Sequence, residues 1–92
     1  MGLFYSKIPD TIDELNDTLR LYGLDFRKVD QHTLILNKNP NIRLLLLSPQ
    51  LRGYEQGSNL VSIYVSMGIN RPIYNCENID SLLQKLRELH VC

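Results

Sequence analysis

The sequence predicts an α+β domain: an antiparallel sheet of about five strands flanked by N- and C-terminal helices packed on one face, in the order α-β-β-β-β-β-α. Three observations predict it. Two amphipathic helical stripes with capping signals stand near the two ends of the chain, five short segments of strand periodicity lie between them, and turn-forming residues separate those segments closely enough for hairpins. At 92 residues the chain is read as a single domain over 1–92, near the lower end of what folds unaided.

The first helix is expected from Asp10 to Tyr22. Thr11-Ile12-Asp13-Glu14 fits a capping box, in which the Thr11 side chain accepts a backbone proton and Glu14 reaches back to the cap. Ile8, Ile12, Leu15, Leu19 and Tyr22 form one apolar stripe, with Asp13, Asn16, Asp17 and Arg20 turned to water. Gly23 stands where a left-handed C-terminal stop belongs. Strands follow at Leu24–Val29, Thr33–Asn37 and Ile42–Leu47, parted by the turns Asp30-Gln31-His32 and Lys38-Asn39-Pro40, so a meander is the economical topology. After a longer loop come Leu60–Met67 and Pro72–Cys76, joined through Gly68-Ile69-Asn70. Pro72 lacks a ladder donor, so the last strand is expected to lie at an edge or to begin there. Leu3-Phe4-Tyr5 offers a further short strand. The second helix is expected from Ile79 to His90, capped by Asn78 or Asp80, with Ile79, Leu82, Leu83, Leu86 and Leu89 as its stripe.

Alternation divides the strands between two sheet faces. One face collects Leu24, Phe26, Leu34, Leu36, Ile42, Leu44, Leu46, Val61, Ile63, Val65 and Ile73, an apolar set that two helices can cover. The other collects Arg27, Val29, Ile35, Arg43, Leu45, Leu47, Ser62, Tyr64, Ser66 and Tyr74. The run Asn41-Ile42-Arg43-Leu44-Leu45-Leu46-Leu47 thus places leucines on both faces of a central strand. A second face this apolar marks an interaction surface, unless a one-residue register shift exchanges the faces or the long loop folds over it.

Composition narrows the function classes. Ten basic and ten acidic side chains give zero formal net charge, which disfavours both a basic nucleic-acid binder and an acidic mimic of one. Two cysteines, Cys76 and Cys92, form no disulfide framework, and no run of membrane-spanning length is present. The expectation is a reducing, cytoplasmic setting without membrane attachment. The start Met1-Gly2-Leu3-Phe4-Tyr5-Ser6 formally matches the myristoylation pattern at Gly2, a short pattern often met by chance. The absence of alanine and tryptophan beside abundant asparagine, isoleucine and tyrosine hints at an AT-rich gene, as in a virus or mobile element.

No catalytic or metal motif emerges. Ser48, Ser58, Ser62 and Ser66 lack a nucleophile-elbow context, neither histidine is paired with a nucleophile, and His32, Cys76, His90 and Cys92 lack zinc-type spacing; no cofactor is implied. The loop from Ser48 to Asn59 is longer than a hairpin needs and offers Arg52, Tyr54 and Glu55, of which the arginine and tyrosine are common interface anchors. Gly53 and Gly57 lack the lysine and hydroxyl of a phosphate loop.

The resulting expectation is a small non-catalytic protein-binding module of adaptor or inhibitor type. It binds a protein partner, most simply a second copy as a homodimer, through Ile35, Arg43, Leu45, Leu47, Arg52, Tyr54, Tyr64 and Tyr74. The alternative is single-stranded nucleic acid, with Tyr64 and Tyr74 stacking on bases while Arg27 and Arg43 meet phosphates. Aliphatic groups at the centre of the face, where a stacking platform wants rings, put protein first.

Overall fold

The computed structural model describes residues 7–66 and 71–89. Its elements are α1 (Ile12–Leu21), β1 (Phe26–Asp30), β2 (Thr33–Leu36), β3 (Ile42–Leu47), a short 3-10 turn (Gln50–Arg52), β4 (Leu60–Val65), β5 (Ile73–Cys76) and α2 (Ile79–Glu88). The predicted order α-β-β-β-β-β-α is the observed one. The additional strand at Leu3-Phe4-Tyr5, the turn at Gly68-Ile69-Asn70, the Gly2 pattern and the tail His90–Cys92 fall outside the described residues.

The helix ends form as the sequence dictates. Thr11 caps α1: its hydroxyl oxygen accepts from the Glu14 amide at 3.1 Å. The Glu14 carboxylate closes the box differently from the expected backbone return, accepting the Thr11 hydroxyl proton at 3.2 Å. Gly23, at φ 79°, takes the left-handed turn that stops α1. Tyr22 does not join the buried stripe. The helix ends one residue earlier, leaving Tyr22 as a 58% exposed cap residue beside an 86% exposed Leu21. At α2, Asn78 is the cap, its side-chain oxygen accepting from the Ser81 amide at 2.8 Å.

The five strands form one antiparallel meander, ordered β1-β2-β3-β4-β5. The β1–β2 hairpin turns at Gln31-His32, where the Asp30 carboxylate accepts the His32 amide proton at 2.8 Å. That bond, with further help from the Thr33 side chain, holds the Asp30 carboxyl below its ordinary pKa. Val29 is the extra residue of a bulge between Lys28 and Asp30, so it belongs to neither regular face and stands 53% exposed. Lys7 bridges Asn78, drawing the segment before α1 to the strand-to-helix junction at β5.

Both helices lie on one side of this sheet. Ile12, Leu15 and Leu19 of α1 and Ile79, Leu82 and Leu86 of α2 share one buried cluster with Phe26, Leu34, Leu36, Ile42, Leu44, Leu46, Val61, Ile63, Val65 and Cys76. Ile8 and Leu24 close it at the ends of α1. The molecule measures 35 × 33 × 21 Å, and 21 Å accommodates one helix layer on one sheet layer and no third layer. Lys28 ties β1 to α1 through Asp13 at 3.3 Å; a pair this exposed adds little stability.

Candidate functional site: the open face of the sheet

The register builds the uncovered face row by row. Arg27 pairs with Ile35, Ile35 with Arg43, Arg43 with Tyr64, and Tyr64 with Ile73, so one row crosses all five strands. The next row is Thr33, Leu45, Ser62 and Asn75, and the third is Leu47 opposite Leu60. Beyond the first row the chain turns polar: Asp25, Asn37, Asn41 and Ser66 are all exposed there. The apolar patch is thus bounded by a hydrophilic rim at one end and by the Ser48–Asn59 loop at the other, an arrangement typical of interface cores and rims.

Within the patch Ile35, Leu45, Leu47, Leu60 and Tyr64 are half-buried by one another, while Ile73 is 53% exposed. Arg27 and Arg43 are exposed, and among the described residues neither enters an ion pair. Ser62 sits at the centre and is buried. Its hydroxyl donates to the Asn75 side-chain oxygen at 2.6 Å, which supplies the partner a buried polar group needs.

Of the eight residues expected to bind a partner, five come together here: Ile35, Arg43, Leu45, Leu47 and Tyr64. Tyr74 does not. It pairs with Ile63 and therefore points to the helix side, where it packs on the core and carries the Lys85 ammonium 4.6 Å above its ring. Ile73 takes the outward place that had been assigned to Tyr74, so the two are exchanged. The physical reason is register. Pairing of Tyr64 with Ile73 fixes which of the alternating β5 residues faces out, and a strand of four residues carries too little pattern to reveal this. Leu60, Ile73 and Asn75 complete the surface and were missed. Leu60 was masked by its position at a strand end, and Asn75 becomes recognisable only as the partner of Ser62.

Arg52 and Tyr54 stand apart from the strand rows, on the connecting loop. The Arg52 guanidinium donates to the Ser58 carbonyl and lies 5.6 Å from the Tyr54 ring centre, which holds the side chain against its own loop, while its Nε is buried without a hydrogen-bond partner. Both line a shallow depression with Glu77 and Asn78 that touches the open face at Leu60. The loop does not fold over the face. It is anchored towards α1, where the Asn59 side chain donates to the Pro9 carbonyl at 3.0 Å and to the Asp10 carboxylate at 3.2 Å.

Elsewhere the chemistry is quiet. Cys76 is a buried thiol whose pKa is pushed up by desolvation, away from the reactive thiolate. No group of three or more His, Cys, Asp or Glu side chains among the described residues is placed to hold a metal ion. No described helix is long and apolar enough to cross a membrane. Compared with known proteins, the chain matches no family model, and no curated protein or solved structure gives a match.

Proposed function

We propose that this chain is a non-catalytic protein-binding module, of adaptor or inhibitor type, whose docking surface is the open face of its sheet. The observation that carries the reading is the patch of Ile35, Leu45, Leu47, Leu60, Tyr64 and Ile73, which no described element covers, both described helices lying on the other side. Apolar surface left in water forgoes roughly 25 cal/mol per Å², and a protein partner recovers it. Contiguous apolar ground rimmed by polar residues is what such partners use.

The nucleic-acid alternative loses support. With Tyr74 on the helix side, Tyr64 is the one ring left on the face among the described residues, and base stacking wants several. Its neighbours are aliphatic.

The test is the double change Leu45→Glu and Leu47→Glu, read by circular dichroism and by chemical cross-linking, both in purified protein and in lysate of the source cells. The expected variant keeps the fold at a cost under about 2 kcal/mol, because both side chains reach water. It loses cross-linked products, to itself and to other proteins, that the unaltered chain forms. Unfolding of the variant would make these leucines ordinary core and end the proposal. So would a chain that cross-links to no protein, or one that binds short single strands at low salt.

A further inference from the structure

Resting on that reading, we propose that the occupant of the open face is a second copy of this chain, packed face to face about a two-fold axis running along the seam between β3 and β4. The row order itself points there. Rotation about that seam lays β3 on the partner's β4 and β2 on the partner's β5, and each row falls on its own counterpart. Arg43 then meets the Tyr64 ring of the second copy, Ile35 meets Ile73, Leu45 meets Ser62, and Leu47 meets Leu60. Each contact occurs twice, as an isologous interface requires.

Charge disfavours two of the neighbouring axes. An axis along the centre of β3 sets Arg43 against its own copy, and an axis along the Arg27–Ile73 row sets both arginines against themselves. The seam between β3 and β4 is the placement that converts the Arg43 charge into a guanidinium over an aromatic ring. The row lies next to the polar rim of Asp25, Asn37, Asn41 and Ser66, so the guanidinium keeps an edge towards solvent while its stem covers apolar surface. Arg27, on the edge strand β1, overhangs the partner and stays in water.

Size sets the kind of dimer expected. Strands about 4.8 Å apart, with residues rising about 3.3 Å each, give a face of roughly 20 by 20 Å, or about 400 Å² in projection. That is below the about 800 Å² that one partner contributes to a standard interface, so the pairing is expected to depend on concentration. A seam axis close to the strand direction keeps the strands of the two sheets within the about 30° of one another that aligned sheet-on-sheet packing allows. The result is a four-layer dimer, helices outside and two sheets within.

Light scattering on the unaltered chain gives the first readout, and the expected mass is twice 10.7 kDa. Arg43→Glu changes an exposed side chain, so the fold survives, and the dimer weakens on the order of tenfold or more as two ring contacts are lost. Cross-linking fixes the axis. In a Cys92→Ser background, chains carrying Ile35→Cys are mixed with chains carrying Ile73→Cys and treated with a short bis-maleimide; Cys76 is buried. The mixture is expected to link, and neither chain alone. A monomer at every concentration, with the face variants folded, overturns the second copy as occupant; cross-links to other proteins in lysate would then leave the protein-binding reading standing. Links within either single-variant pool, or Arg43→Glu dimers as tight as the parent, overturn the axis.

Discussion

Along β3 the side chains pass alternately into two environments. Ile42, Leu44 and Leu46 are at most 4% exposed beneath the helices, whereas Arg43 is exposed and Leu45 and Leu47 are half-buried on the other side. Leu44 and Leu46 on one side and Leu45 and Leu47 on the other are the same side chain on the same strand. What differs is the second layer: α1 and α2 close the front, and no other described element closes the back. Burial is therefore a property of what lies opposite a residue as much as of the residue, and the back face has hydrophobicity in excess of what the monomer uses.

The sharpest way to break that comparison is a matched pair of truncations in dilute, monomeric protein. Leu44→Ala is expected to cost about 2–5 kcal/mol, the range for a leucine removed from a closed core. Leu45→Ala, one residue on, is expected to cost about 1 kcal/mol, since solvent already reaches its site. Denaturant titration measures both, and equal losses would show the faces to be equivalent.

A smaller effect is expected at Ser62. Ser62→Ala removes a hydroxyl that bonds Asn75, at a cost of about 0.5–1 kcal/mol, because Asn75 is exposed and water replaces the lost partner. A loss well beyond that in the same titration would mean that the pair is sealed from water and that the back face is drier than described.

The smallest effect concerns the β1–β2 turn, at the rim between the two faces. The folded Asp30 carboxyl titrates below its unfolded value, so its bond to the His32 amide stabilises the hairpin above the usual carboxylate pKa. That contribution is lost as pH falls through the depressed folded value. Thermal melts of the parent and Asp30→Ala are expected to differ slightly at pH 7, with the difference narrowing as pH falls below the usual carboxylate range. A difference that grows on acidification contradicts the sign.

Much of this architecture was legible in the sequence because it rests on period and punctuation. The α1 stripe of Ile12, Leu15 and Leu19, the Thr11 cap and the Gly23 stop are local signals, and so are the close hairpin turns. Long alternating strands declared their faces, as β3 and β4 show. The face of β5 was not legible, since it depends on which residue of β5 meets Tyr64, a fact about pairing across two chain segments. The exposure of Tyr22 was hidden for a related reason. A stripe says which side of a helix is apolar, but Tyr22 is the cap residue, past the helical backbone that carries Leu19 to the core. Five members of the candidate site followed from alternation alone. Arg52 and Tyr54 did not join them, because loop residues obey no period and the Asn59 anchor decides where their loop lies.

The order of the strands in the sheet is their order in the chain. Each ladder can therefore be zipped from a hairpin already at hand, and no strand must wait unpaired for a distant neighbour to be made. Low contact order of this kind favours quick assembly and shortens the time during which sticky edges are open to aggregation. The one wide gap to close is the Ser48–Asn59 connection, and closing entropy grows only slowly with loop length. The sheet that leaves its back open is, on this account, also one that reaches that state without lingering half-made.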